Sequence, residues 1–189
     1  IVTGLVGSEM CIRDRITTDE DGSRILGAVD IYGLMFHGPR FQPLKGVVAT
    51  IETTSGTGIE ARVNSIQDLP DPRLFNIRGK AIIPDLTSYP MLIESCFQAA
   101  GLTSMDLDSA ESLPVGAKRI LIAGEIPEGS LTVTSVRKGS ETNGTFVHES
   151  VIRLDGSPIM RIDGLKMKKL RDLNDDQRPG LAEYSGELT

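Results

Sequence analysis

Two long polar side chains interrupt an otherwise apolar stretch. In Met91-Leu92-Ile93-Glu94-Ser95-Cys96-Phe97-Gln98-Ala99-Ala100-Gly101-Leu102, Glu94 and Gln98 stand four residues apart. On a helix that spacing puts them on one face, a single turn from each other. Burying a carboxylate is costly unless it is paired or protonated. Burial also raises a carboxyl pKa, which suits a general acid working near neutral pH. A carboxyl in this setting can equally bridge a structural network or face water through a gap in the surrounding sheet. The spacing alone leaves these readings open.

The other chemically able residues are few. His37 lies in Phe36-His37-Gly38-Pro39 and His148 between Val147 and Glu149. His37 is a candidate to bind substrate or to orient Glu94, and equally a hydrogen-bonded loop residue. His148 reads as a structural or surface residue of a strand. Cys96 sits within a turn of Glu94, but no histidine is placed by sequence to activate it, so it reads as core packing. The two cysteines form no disulfide framework. No CxxC or His/Cys cluster suggests a metal. No GxSxG, P-loop or GxGxxG motif occurs, so hydrolase-elbow and nucleotide readings lack support. Asn143-Gly144-Thr145 fits a glycosylation sequon, but without a secretory signal it reads as a hairpin turn.

These residues need elements to hold them. The helix is expected over residues 89–105. Because it is apolar on almost every side, it must be wrapped rather than laid on a surface. Strands are expected over 24–31, 44–53, 57–64, 117–124, 130–138, 145–154 and 158–169, with a compact loop or single helical turn over 32–42. Asn143-Gly144 and Asp155-Gly156-Ser157 mark tight hairpins, and the alternation slips at Gly164, which suggests a bulge. Residues 65–87, with Pro70, Pro72 and Pro84, read as a long ordered loop with a short strand near 78–83. One buried helix inside a curled antiparallel sheet is an α+β arrangement, the hot-dog fold.

Composition narrows the partners. The 189 residues are 39% hydrophobic and 24% charged, enough for a packed core of ordinary domain size. The 20 Gly and 10 Pro suit many turns. A net charge of −6, with basic residues clustered only at Lys166, Lys168, Lys169 and Arg171, argues against nucleic acid. No apolar run approaches the ~18–20 residues that span a bilayer, so no membrane partner is expected. A cytoplasmic, reduced domain is the expectation. Residues 1–15, containing LVGSEMCIRDR, do not read as a signal peptide. They resemble a translated sequencing linker, the alternative being a genuine but loose N-terminal segment. The division expected is linker 1–15, a single domain 16–171, and a polar, aperiodic tail or linker 172–189.

Three motifs carry a family resemblance. Pro90-Met91-Leu92-Ile93-Glu94 through Gly101 resembles P-x-x-L-I-E-x-x-x-Q-A-x-G of hot-dog 3-hydroxyacyl-[acyl carrier protein] dehydratases. YGLMFHGPRF (Tyr32 to Phe41) resembles the GYxYGPxF motif opening the second hot dog of polyketide-synthase dehydratase domains, and Leu113-Pro114-Val115 the start of their LPFxW motif. The motifs stand in the family's order, and the resemblance spans residues 24–170. The FHGPxFQ wording is nearest to polyketide and polyunsaturated-fatty-acid synthases. There are departures. Glu94 replaces the Asp of the polyketide domains. Val115 and Ala117 stand where Phe and Trp belong, and the Tyr of YGP is His37 or, counted differently, Phe36. The catalytic HxxxGxxxxP motif does not occur, and Lys80 occupies the position it has in stand-alone enzymes.

The resemblance implies the second half of a double hot dog, removing water from a 3-hydroxyacyl thioester on acyl carrier protein to give a 2-enoyl thioester. Glu94 would be the acid and Gln98 its orienting partner. His37, Gly38, Pro39, Pro90, Leu113 and Pro114 would bind or orient substrate. The missing N-terminal hot dog would supply the histidine base, leaving this chain alone inactive, with a homodimer as a substitute for the lost half. No cofactor is implied, the substrate being carried on phosphopantetheine. The alternatives are a hot-dog acyl thioesterase, or a non-catalytic hot dog that docks or dimerises.

Overall fold

In a computed structural model, the described residues are 17–18, 24–64, 85–123 and 128–181. The elements run β1 (Thr17–Thr18), β2 (Arg24–Gly27), α1 (Ala28–Leu34), β3 (Leu44–Thr53), β4 (Gly56–Val63), α2 (Asp85–Leu107), β5 (Ala110–Gly116), β6 (Arg119–Ile122), β7 (Leu131–Glu141), β8 (Thr145–Leu154) and β9 (Ser157–Asp172). Short 3-10 turns cover Pro39–Phe41 and Asp175–Gln177. The strands form one sheet in the order β1-β2-β3-β4-β7-β8-β9-β5, with β6 also pairing β9. Every pairing in it is antiparallel. Helix α2 touches β4, β5, β7, β8 and β9, so the sheet wraps around it as a hot dog. No helix among the described residues is long and apolar enough to cross a membrane.

The helix is enclosed because its residues are apolar or self-satisfying. Leu92, Cys96, Ala99, Ala100 and Leu102 are fully buried. The small Ala99-Ala100-Gly101 run lets the sheet approach closely. Ser95 and Thr103, also buried, return their hydroxyls to helix carbonyls, Ser95 to Met91 at 2.9 Å and Thr103 to Ala99 at 2.8 Å. Strand β8 alternates as a half-buried strand must. Phe146, His148, Ser150, Ile152 and Leu154 point inward. The hairpin into β8 turns at Gly144 (φ 74°), and the next turns at Asp155 and Gly156 (φ 47° and 82°). The slip foreseen at Gly164 is present: His148 pairs Leu165 while Ser150 pairs Ile162. Gly164 has φ 60°, where a side chain is strained.

Four expectations change. The strand expected over 24–31 stops at Gly27, because the Asp30 carboxylate accepts the Gly27 N–H at 3.1 Å and starts α1, which buries Ile31. The strand expected over 117–124 is present as the short β6, and an unexpected strand, β5, precedes it end to end along β9. Pro114 is tolerated there because β5 is an edge strand whose only pairing is with β9. Helix α2 begins at Asp85, inside the loop expected over 65–87; the strand near 78–83 and residues 1–15 lie outside the described residues. The fourth concerns the tail. Residues 173–181 are packed: Leu173 and Leu181 are buried, the Asp106 carboxylate accepts the Leu181 N–H at 2.7 Å, and Arg178 donates to the Asp106 carbonyl at 3.0 Å. The spacing of two leucines in a polar stretch was too sparse to show this. Residues 182–189 are outside the described residues.

His148 is the core histidine. Its Nε2 lies 3.2 Å from the Ser104 hydroxyl. Burial, and secondarily the Arg137 charge, push its imidazole down from 6.5 to about 3. The unfolded chain therefore binds the proton preferentially between those values, so folded stability falls as pH drops through that window. Two outcomes follow. Stability by urea unfolding is lower at pH 5 than at pH 7 by on the order of 2 kcal/mol, and His148→Gln flattens that difference. Leu181→Ala lowers stability by about 2 kcal/mol, where a loose tail gives no change.

Candidate functional site

One face of α2 carries Glu94, Gln98, Gly101 and Met105, spaced i, i+4, i+7 and i+11. All four line a cavity of about 380 Å³. Its other walls come from the segment after α1 (Leu34 to Gly38, and Phe41), from β5 (Glu111 to Pro114) and from Met167 of β9. The walls are mainly apolar, with Phe97 and three methionines, Met35, Met105 and Met167. Of the polar lining groups, His37 and Gln98 meet Glu94, while Glu111 and Ser112 stand on the β5 wall. Gly101 matters sterically: a Cβ there would lie 3.2 Å from the Met35 Cε and 4.0 Å from the Met167 Cε.

Glu94 is held from two sides. His37 Nε2 lies 3.0 Å from Glu94 Oε1. Gln98 Nε2 donates to the same oxygen at 2.9 Å. The side chains of His37 and Glu94 are mostly covered, 16% and 23% exposed, so the pair is screened far less than a surface one. Burial works to raise the Glu94 carboxyl, but the hydrogen bonds from His37 and Gln98 and the His37 charge together hold it below its ordinary value. The sequence expectation of a raised pKa considered burial alone. The reversal comes from an imidazole 57 positions away in the chain. That direction favours the ionised carboxylate near neutral pH, hydrogen-bonded by His37 and Gln98.

The loop bearing His37 is fastened to the sheet. Gln42 Nε2 donates to the His37 carbonyl at 3.0 Å, and Asn64 Nδ2 donates to the Gln42 carbonyl at 2.9 Å. Phe41 N–H closes the turn on Gly38 O at 2.8 Å. Phe36, 70% exposed, stacks on the His37 ring with centroids 4.5 Å apart.

The structure brings together most of the residues singled out from sequence. Glu94, Gln98, His37, Gly38, Leu113 and Pro114 all line the cavity. Pro39 and Pro90 are not among the lining residues; both are exposed, Pro39 opening the 3-10 turn and Pro90 lying inside α2. Tyr32 was not singled out, yet its hydroxyl donates to Gln98 Oε1 at 2.9 Å and accepts the Leu44 N–H at 2.7 Å. A tyrosine beginning the motif that contains His37 was the available signal. Phe97 and Met105 give no sequence signal beyond helical spacing, Met35 gives none, and Gly101 showed only as the last residue of the helix motif. Cys96 is buried in the core, and burial pushes its thiol up. No group of three or more metal-ligating side chains occurs among the described residues.

Comparison with known proteins places this geometry. Residues 14–177 match a family described as the polyketide synthase dehydratase N-terminal domain. Among solved structures, the dehydratase domain of PpsC from Mycobacterium tuberculosis aligns at 24% identity and a TM-score of 0.54, over 77% of this chain and 51% of that one. The dehydratase domain of RzxB from Pseudomonas fluorescens aligns at 19% and 0.51, over 76% and 49%. That of the CurJ module of the curacin polyketide synthase aligns at 12% and 0.52, over 89% and 55%. The chain thus spans about half the length of the solved dehydratase domains it matches, and shares their fold. No curated protein sequence is similar enough to match. With a single wrapped helix, a carboxylate-lined cavity along it and a family match over most of its length, the chain belongs to the polyketide synthase dehydratase family.

Proposed function

We propose that this chain is the C-terminal hot dog of a dehydratase domain, acting on 3-hydroxyacyl thioesters carried by acyl carrier protein. The observation that carries the reading is the Glu94–Gln98–His37 cluster in a mainly apolar cavity along α2. The PpsC dehydratase domain has been described in complex with C12:1-CoA, an acyl thioester. An apolar cavity of about 380 Å³ suits an acyl chain, with the reacting carbons beside Glu94.

In the dehydration, a base takes the C2 proton, the C2–C3 double bond forms and the C3–O bond breaks. Glu94 protonates the departing hydroxyl, which leaves as water. Filling the cavity with an acyl chain removes water from around the carboxyl and acts to raise its pKa, toward the protonated form this step needs. Gln98 keeps the carboxyl oriented. Leu113, Pro114 and Gly38 line the cavity in this reading, and Pro39 and Pro90 shape the segments that flank it. No cofactor enters any step. The base is assigned to a histidine of a partner hot-dog half, because no HxxxGxxxxP motif occurs in this sequence. The matched family's description carries the word N-terminal. The order of the three motifs and the place of Glu94 in the helix motif favour the C-terminal half. A homodimer, in which a second copy takes the place of the other hot dog, and a cytoplasmic setting belong to the same reading.

A second reading has one observation in its favour. An ionised Glu94 in the free site is ready to activate water, as a thioesterase requires. The two differ in product. Dehydratase chemistry hydrates crotonyl thioester to the 3-hydroxy compound; thioesterase chemistry releases free thiol.

The chain alone is expected to hydrate crotonyl thioester at background rate, and to gain at least about a hundredfold when mixed with a hot-dog half bearing HxxxGxxxxP. Glu94→Gln removes that gain while leaving the melting temperature near that of the parent. Turnover by the unmixed chain that His37→Ala abolishes makes His37 the base and overturns the half-site account. Gly101→Leu fills the cavity beside Met35 and weakens octanoyl relative to crotonyl thioester by roughly tenfold, at about 0.8 kcal/mol for each methylene displaced. Equal effects on both chain lengths would place the acyl group elsewhere.

A further inference from the structure

The buried amide of Gln98 has a fixed polarity, and its consequence reaches Glu94. Gln98 is 1% exposed, so each of its hydrogen-bonding atoms needs a protein partner. Two backbone groups decide which way it points. The Phe41 carbonyl can only accept, and it lies 2.8 Å from one end of the amide, so that end must be the nitrogen. The Leu44 N–H can only donate, and it occupies the Tyr32 oxygen at 2.7 Å. Tyr32 therefore turns its own proton outward to Gln98 Oε1, 2.9 Å away. Turning the amide over would set Gln98 oxygen against the Phe41 carbonyl and against a carboxylate oxygen, two repulsive contacts. The second Gln98 proton is left for Glu94 Oε1, at 2.9 Å.

We propose that Tyr32 is a positioning residue for Glu94, acting through a one-way chain of hydrogen bonds. It runs from Leu44 N–H to the Tyr32 hydroxyl and on to Gln98 Oε1, and resumes from the Gln98 nitrogen to Glu94 Oε1. The chain commits Oε1 to accepting, a role reinforced by His37 Nε2 at 3.0 Å on the same oxygen. Oε2 receives no hydrogen bond among the described residues, and it is the oxygen that takes up and releases the proton. The two carboxylate oxygens thus have separate duties, one anchored and one reactive. The phenol can sustain its donor role across the working pH range, because burial, partly offset by the Leu44 hydrogen bond and aided by the Glu94 charge, pushes its pKa up. The catalytic consequence rests on the dehydratase reading; the structural claim does not.

The test is a titration of the Glu94 side-chain carboxyl carbon by NMR in the full chain, assigned with Glu94→Gln and compared in Tyr32→Phe. Without the hydroxyl, Gln98 Oε1 is left buried with no donor and the amide is held less firmly, so its hydrogen bond to Glu94 weakens and the Glu94 midpoint rises by about half to one pH unit. An unchanged midpoint in folded Tyr32→Phe overturns the proposal. The parent chain gives a second measurement, independent of whether that variant folds. The Tyr32 hydroxyl proton and both Gln98 amide protons are expected as separate, slowly exchanging signals. A Gln98 amide that exchanges as fast as an exposed glutamine contradicts the chain of bonds. Activity separates the two claims. The titration shift without any enoyl hydration in the presence of a partner half leaves the Tyr32 assignment standing and removes the dehydratase reading. With hydration, Tyr32→Phe lowers kcat by about tenfold with little change in KM, and moves the acid limb of the pH profile upward.

Discussion

A primary amide buried to 1% exposure organises this site. Gln98 cannot turn to water, so it must find two acceptors and a donor within the protein. It finds them in three places: the backbone after the 3-10 turn, the hydroxyl of α1's tyrosine, and the carboxylate one helical turn back. That single side chain ties α2 to α1 and to the loop that carries His37. If the loop were displaced, the amide would lose the Phe41 carbonyl and Glu94 its imidazole together. Leaving such groups unpaired costs on the order of 1–3 kcal/mol each, comparable to burying a large side chain. The geometry of the carboxylate is therefore set by the packing of the whole N-terminal half against the helix.

The sheet supplies the complementary constraint. The wrapped helix α2 opens onto a cavity between β5, β9 and the segment after α1. That opening coincides with the stripe formed by Glu94, Gln98, Gly101 and Met105. Gly101 keeps the apolar end clear, since a side chain there would run into Met35. Elsewhere along the helix the polar residues are consumed internally, Ser95 and Thr103 by helix carbonyls and Ser104 by His148. At the cavity, Glu94 keeps one carboxylate oxygen, Oε2, without a hydrogen-bond partner among the described residues.

Much of this was legible in the sequence, for physical reasons that can be named. An apolar helix with no polar half has to be enclosed, and strands closed by Asn143-Gly144 and Asp155-Gly156 have to be antiparallel hairpins. The bulge at Gly164 showed as broken alternation. Glu94 and Gln98 were visible as a shared face. What escaped depends on contacts between distant segments. Strand β5 was hidden by Pro114, which is tolerable only on an edge, and edge status is a property of the assembled sheet. The packing of Leu173 and Leu181 depends on Asp106 and on a gap beside α2 that local pattern does not encode. The direction of the Glu94 shift depends on His37, whose approach is fixed by hydrogen bonds from Gln42 and Asn64. Tyr32 looked like part of a motif, and its hydroxyl is the donor that satisfies the buried Gln98 oxygen.

The central claim is that Glu94 is the proton-carrying group of an acyl-thioester cavity. The most direct measurement is the Glu94 carboxyl titration in the parent chain with and without a saturating, unreactive acyl thioester analogue. The account predicts that the midpoint, held low by His37 and Gln98 in the empty site, moves upward when the acyl chain displaces water from the cavity. An analogue that binds while leaving the Glu94 midpoint where it was would contradict it.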